Sequence, residues 1–166
     1  ILNKQGEIYD FILLLQGDEP QIFPEDIKNL SAAFSGSELE IVNLVYPIDG
    51  DDLNNPNVVK AIMTNTSKIS FFTRAHVPNS SDKAMRQLGM IGFTNDALTQ
   101  YTNLQPTALE ELESIDMMRL LEHDYEINAV ISSSLILGVD NPRDIAKAEL
   151  MMDQDFLLTT YQEKYL

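Results

Sequence analysis

The sequence predicts an α/β domain with a mixed sheet, and three observations predict it. Residues 11–15 form a continuous apolar run closed by the turn formers Gly17, Pro20 and Pro24, and an amphipathic helical stretch follows at once. Strand-like and helix-like stretches then alternate along the chain. Residues 69–93 interrupt the alternation with successive strands, an excursion from the main sheet suited to a dimer contact.

In order, residues 11–15 read as a strand buried on both faces. Pro24 suits the first turn of a helix, with Glu25 and Asp26 at its positive end. Ile27, Leu30 and Phe34 give that helix one apolar face, and Gly36 stops it. Residues 40–48 read as a second strand, limited by Pro47, and residues 49–57, rich in Asp, Asn, Gly and Pro, as a loop. Residues 58–63 and 68–73 read as strands about a turn at Asn65 and Thr66, residues 78–83 as a polar connection, and residues 86–94 as a strand carrying Gly89 and Gly92. A helix over 95–103 follows, then one that Thr107 and Glu110 begin with a capping box. Leu109, Leu112, Met117, Leu120 and Leu121 are the buried stripe expected of it. Residues 127–131 read as a strand, Asn141 and Pro142 open a helix carrying Ala146, Leu150 and Met151, and residues 156–166 close the chain as a helix or tail.

Length and charge bound the function. The 166 residues suffice for one domain, 1–166, with a real core. There are no cysteines, so disulfides and thiolate metal sites are excluded. The formal charge of −15 argues against nucleic acid and anionic membranes, which basic residues hold. No apolar run reaches the roughly 20 residues of a membrane span, and no signal pattern opens the chain. The Asn-x-Ser triplets at Asn29, Asn65 and Asn79 are therefore read as unglycosylated and the protein as cytoplasmic. Starting at Ile1 rather than Met, the chain is expected to lie inside a longer reading frame or to be processed.

Two segments place an Asp at a strand-to-helix edge, where open α/β sheets bind ligands. In Gln16-Gly17-Asp18-Glu19-Pro20, Asp18 either caps the loop or holds a hard metal ion, and Mg²⁺ takes one or two carboxylates plus substrate phosphates. In Gly138-Val139-Asp140-Asn141-Pro142, Asp140 either caps the following helix or holds a metal. Two such aspartates can share one Mg²⁺. Arg74, ending an apolar strand, either clamps a carboxylate through two parallel hydrogen bonds or makes an ordinary ion pair. Glu110, Glu111, Glu113 and Asp116 read as a solvated helix face, and Met117, Met118, Met151 and Met152 as core. His76 and His123 lack partners at zinc-ligand or triad spacing, and no Walker loop or dinucleotide fingerprint is present.

Taken in order, these motifs resemble the CMP-Kdo synthetase (3-deoxy-manno-octulosonate cytidylyltransferase) family. Gln16-Gly17-Asp18-Glu19-Pro20 matches its QGDEP loop, and Asn55-Pro56-Asn57-Val58-Val59-Lys60 is similar to NPNxVK. Phe72-Thr73-Arg74-Ala75-His76-Val77-Pro78 resembles FSRAxIP, Arg86-Gln87-Leu88-Gly89 resembles the opening of RHLGIYGY, and Gln105-Pro106-Thr107-Ala108-Leu109-Glu110 resembles QPSPLE. Gly138-Val139-Asp140-Asn141-Pro142-Arg143-Asp144 resembles GVDTPED.

The resemblance implies a Rossmann-like (GT-A-like) nucleotidyltransferase with the N-terminal part of the sheet, and its nucleotide-binding loop, missing from this chain. It implies a homodimeric, Mg²⁺-dependent enzyme that moves CMP from CTP to Kdo or a related acidic sugar for lipopolysaccharide or capsule synthesis. Asp18 and Asp140 would hold Mg²⁺, while Gln16 and Arg74 would hold the sugar acid, Arg74 through its carboxylate. Two departures fall on sugar-contacting positions of the family. Gln87 stands where RHLG has His, and Asp116-Met117 replaces a Glu-Gln pair. They point from Kdo towards a related sugar acid, or another small acid such as a phosphonate. A non-catalytic interaction module is the remaining expectation, since the phosphate loop lies outside the chain.

Overall fold

The computed structural model describes residues 9–48, 50–77, 84–139 and 141–158. Its centre is one six-stranded mixed sheet of β1 (Ile12–Leu15), β2 (Ile41–Pro47), β3 (Lys60–Met63), β4 (Lys68–Thr73), β5 (Ala84–Phe93) and β6 (Ile127–Ile131), in the order β1-β5-β2-β6-β4-β3. Among the described residues only β2 and β6 run parallel; every other pairing there is antiparallel. The start of β5 also pairs with β3, so the pairings close a circuit through β5, β2, β6, β4 and β3.

The strand period of two sorts the core onto two faces. Ile41 and Val45 of β2, with Met85, Ile91 and Phe93 of β5, pack towards α3 (Asn95–Asn103), α4 (Ala108–Glu113) and α5 (Met118–Glu122). Val42 and Leu44, with Leu88 and Met90, pack on the opposite face with Leu30, Ile27 and Phe34 of α1 (Pro24–Phe34). A slip of one residue in β2 would turn its whole apolar set to the wrong side, which fixes the register. Gly92 lets α1 approach closely: a Cβ there would lie 2.7 Å from Phe34 Cε2 and 2.8 Å from Val42 Cγ2. α1 ends as its sequence requires, with Gly36 at φ 70° just beyond Ser35.

The structure corrects several expectations. β1 is an edge strand rather than one buried on both faces; it pairs with β5 alone among the described residues, and Leu14 and Leu15 stay 43% and 41% exposed. The expected loop over 49–57 contains a short helix, α2 (Gly50–Asn54), whose Asp51 and Asp52 sit at its positive end. The single helix expected after Thr107 is two, α4 and α5. Ser114 takes a left-handed conformation (φ 55°) between them, which buries Ile115, Met117 and Met118 and leaves Leu112 76% exposed. Met152, expected in the core, is exposed on the closing helix α6 (Pro142–Asp153). Residues 69–77 and 84–93 supply β4 and β5 to the one sheet. Residues 78–83, Asp140 and residues 159–166 lie outside the described residues. No helix among the described residues is long and apolar enough to cross a membrane.

Candidate active site

A cavity of about 690 Å³ opens where the loop after β1 meets β5, the end of β4 and the α4–α5 break. Gln16, Asp18, Arg74, Gln87 and Asp116 all line it, together with Gly138. Positions spread over a hundred residues of sequence thus share one wall. Asp140, the remaining site residue expected from the sequence, lies outside the described residues. Its neighbour Val139 donates its N–H to the Asp18 carbonyl oxygen at 2.8 Å, so the two loops are stitched together at that point.

The loop carrying Gln16 and Asp18 is bound to β5 at Gly89. Gln16 N–H donates to the Gly89 carbonyl (3.1 Å), and Gly89 N–H donates to Glu19 Oε1 (2.8 Å). The Gln16 side chain lies over the glycine, where a Cβ would meet its Oε1 at 2.3 Å. Glu19 thus holds the loop in place, which its position in the motif did not reveal.

Arg74 is fixed through its backbone. Glu113 accepts the Arg74 N–H (2.9 Å) and the Thr73 hydroxyl (3.0 Å), while Lys60 Nζ donates to the Arg74 carbonyl (3.0 Å) and to the Asn55 carbonyl (2.7 Å). Lys60 is fully buried, and burial pushes its pKa down, with the Asp52 carboxylate working against that shift. The Arg74 guanidinium lies 3.4 Å from the carbonyls of Pro56 and Asn57 and makes no ion pair among the described residues. Its other terminal nitrogen reaches the Ser114 carbonyl at 3.5 Å. The ordinary ion pair open to Arg74 from sequence is therefore not formed there, and the residue lines the cavity. Arg86, the second guanidinium of the wall, is paired with Asp52 at 2.9 Å.

The acidic residues of the α4–α5 region are not simply a solvated face. Glu110 takes Arg119 Nε at 2.7 Å with a second parallel bond from the same guanidinium, and that hydrogen bonding holds its carboxyl below the usual range. It also accepts the Thr107 N–H (3.2 Å), the carboxylate arm of the expected capping box. Arg119 stacks over Tyr101, 5.2 Å from the ring centroid. Tyr101 is pushed up to about 12, first by burial and then by the Asp116 charge beside it. Met117, at the other altered family position, is buried in the core and lines no part of the cavity.

As to a metal, no group of three or more His, Asp or Glu side chains is arranged to hold one among the described residues. Mg²⁺ does not need such a cage, because one or two carboxylates and substrate phosphates satisfy it. Asp18 supplies a hard oxygen donor on the cavity wall. Asn141, not Asp140, caps α6, accepting the Arg143 N–H at 3.0 Å.

Comparison with known proteins bears on the same region. The family model described as cytidylyltransferase matches residues 3–130. The 3-deoxy-manno-octulosonate cytidylyltransferase of Parabacteroides distasonis is 32% identical over 161 residues, 88% of this chain and 64% of that protein. The protein of the same description from Cytophaga hutchinsonii is 31% identical over 157 residues, 87% of this chain and 62% of its own length. The chain thus spans less than two thirds of these relatives. Among solved structures, CMP:2-keto-3-deoxy-manno-octonic acid synthetase complexed with CTP superposes with a TM-score of 0.80 at 24% identity, over 92% of this chain and 65% of that one. A putative glucose-1-phosphate thymidylyltransferase from Bacillus anthracis, complexed with sucrose, matches with a TM-score of 0.58 at 17% identity, covering 86% and 54%. The fold is therefore a mixed α/β nucleotidyltransferase fold.

Proposed function

This chain belongs to the cytidylyltransferase family, and on that premise we propose that it serves the transfer of CMP from CTP to Kdo or a related acidic sugar, with release of pyrophosphate. The observation that carries the proposal is the convergence of Gln16, Asp18, Arg74, Gln87 and Asp116 on one cavity. In this reading a sugar hydroxyl attacks the α-phosphorus of CTP, the new phosphodiester bond forms, and the bond to pyrophosphate breaks. The chain's work is placement and electrostatics. Arg74, held at both its N–H and its C=O, presents a guanidinium to the acid's carboxylate. Gln16, Gln87 and Asp116 offer hydrogen bonds around it.

Asp18 and Asp140 would hold Mg²⁺, whose positive charge would offset the triphosphate in a cavity that also carries Glu19, Glu110 and Glu111. A homodimer and a cytoplasmic location belong to the same reading. The test is pyrophosphate release from CTP by the full-length protein with Mg²⁺ and a panel of sugar acids and phosphonates. Release with Kdo or a related sugar acid, abolished in Asp18→Ala, is expected. No release with any acid contradicts the proposal, and release with phosphonates alone moves it to the phosphonate alternative.

A further inference from the structure

We propose that Asn43 is a positioning residue that locks the Gln87 amide in one orientation, giving the cavity a fixed, uncharged acceptor that selects a hydroxyl on the acid substrate. The claim about substrate rests on the transfer reading above; the claim about Asn43 does not.

The lock starts in the backbone. β2 and β5 pair regularly at Asn43↔Ile91 and again at Val45↔Gln87, so Leu44 alone faces the three residues 88–90 of β5. This bulge interrupts the ladder between the two strands. The Asn43 side chain fills the interruption: its Nδ2 donates to the carbonyls of Leu88 (2.9 Å) and Met90 (3.2 Å). Carbonyl oxygens only accept, so the nitrogen of this fully buried amide must face them. Its Oδ1 is left facing Gln87, whose Nε2 donates to it at 2.8 Å. Turning the Gln87 amide over would set two oxygens against each other at this part-buried contact and lose the 2.8 Å bond.

The Gln87 orientation is therefore dictated from the strand beneath it. Its Oε1 takes no hydrogen bond among the described residues, and Gln87 lines the cavity beside Asp18, Arg74 and Asp116. An amide does not titrate, so this acceptor stays the same across the pH range in which an imidazole would change charge. It suits a hydroxylated acid better than a small acid with no donor to offer.

Two measurements on the full-length protein test this. Side-chain amide exchange by NMR reads the lock without substrate. One Gln87 Nε2 proton is expected to exchange at least about tenfold more slowly than those of exposed glutamines, and Asn43→Ser removes that protection. Gln87→Leu leaves the Asn43 amide protons protected, because backbone carbonyls hold them. Unprotected Gln87 protons in the wild type, or loss of Asn43 protection in Gln87→Leu, overturns the lock. Calorimetry then compares Kdo with a phosphonoacid lacking hydroxyls. The wild type is expected to bind Kdo more tightly, and Gln87→Leu to weaken Kdo about tenfold while leaving the phosphonoacid unchanged. Absence of a Kdo preference in the wild type, or Kdo affinity unchanged in Gln87→Leu, overturns hydroxyl selection. Hydroxyl preference without pyrophosphate release would instead overturn only the transfer reading.

Discussion

Replacing Gly89 by Ala gives the sharpest separation of site from scaffold. The added methyl would sit 2.3 Å from Gln16 Oε1, 2.8 Å from its Cδ and 2.9 Å from its Cβ. The end of the side chain can swing away, but the Cβ contact requires the backbone to move. That backbone is tied at Gln16 N–H, at Glu19 and through Val139 at Asp18, so the strain passes along the loop to Asp18. Overpacking of this kind costs about 1–3 kcal/mol, which lowers Tm by about 2–12 °C at this chain length. A shift of roughly an ångström in the reacting groups costs on the order of 100-fold in rate. Gly92→Ala is the control, since its methyl would strike Phe34 and Val42 in the core at 2.7 and 2.8 Å. The assays are thermal unfolding by circular dichroism and pyrophosphate release well below the lower Tm. Comparable losses of Tm, with kcat/KM reduced only in Gly89→Ala, are expected. Equal activity in the two variants, or full activity in Gly89→Ala, would refute the claim that Gly89 positions the loop.

Three further outcomes follow from buried groups. Burial raises the Asp26 pKa above its ordinary value, outweighing the 2.9 Å hydrogen bond from Ser132. The folded state therefore holds the proton more tightly than the unfolded chain, and stability falls as pH rises from about 4 through the folded value. Asp26→Asn should be more stable than wild type at about pH 7 and no more stable near pH 3.5, as thermal unfolding at each pH will show. Lys60→Met removes the donor to the carbonyls of Asn55 and Arg74; it should lower stability by about 1–3 kcal/mol and raise the KM for the acid while leaving that for CTP unchanged. Because the Lys60 pKa is lowered, the unfolded chain binds the proton more tightly, so the wild type gains stability with rising pH below the ordinary lysine value and Lys60→Met lacks that gain. In a spectroscopic titration, Tyr101 should ionise at about 12, and Tyr101→Phe should remove that step.

The sequence made most of the fold legible because periodicity carries it. β4 and β6, and α1 and α3, have the bounds that alternation, Pro24 and the apolar spacing predict. The break between α4 and α5 escaped because helical spacing would place Leu112 inside, whereas burying Ile115 and Met117 required a left-handed turn at Ser114. Gln16, Asp18 and Arg74 belong to contiguous motifs, and Gln87 and Asp116 stand where the family pattern is altered, so the sequence singles out all five residues that the fold brings to one cavity. Asn43, Lys60 and Glu113 were not assigned a role. Their partners lie 45, 14 and 39 residues away, and only the strand register and the α4 packing bring them together. No local spacing carries that information.

The seam between the Asp18 loop and the chain leading to position 140 is open to direct measurement with Mn²⁺ in place of Mg²⁺. With CTP present, the Gly89 and Val139 amide resonances of the full-length protein should broaden in the wild type and stay sharp in Asp18→Ala. Broadening confined to other amides, or unchanged by Asp18→Ala, would mean that the metal and nucleotide bind elsewhere and that this cavity has another use.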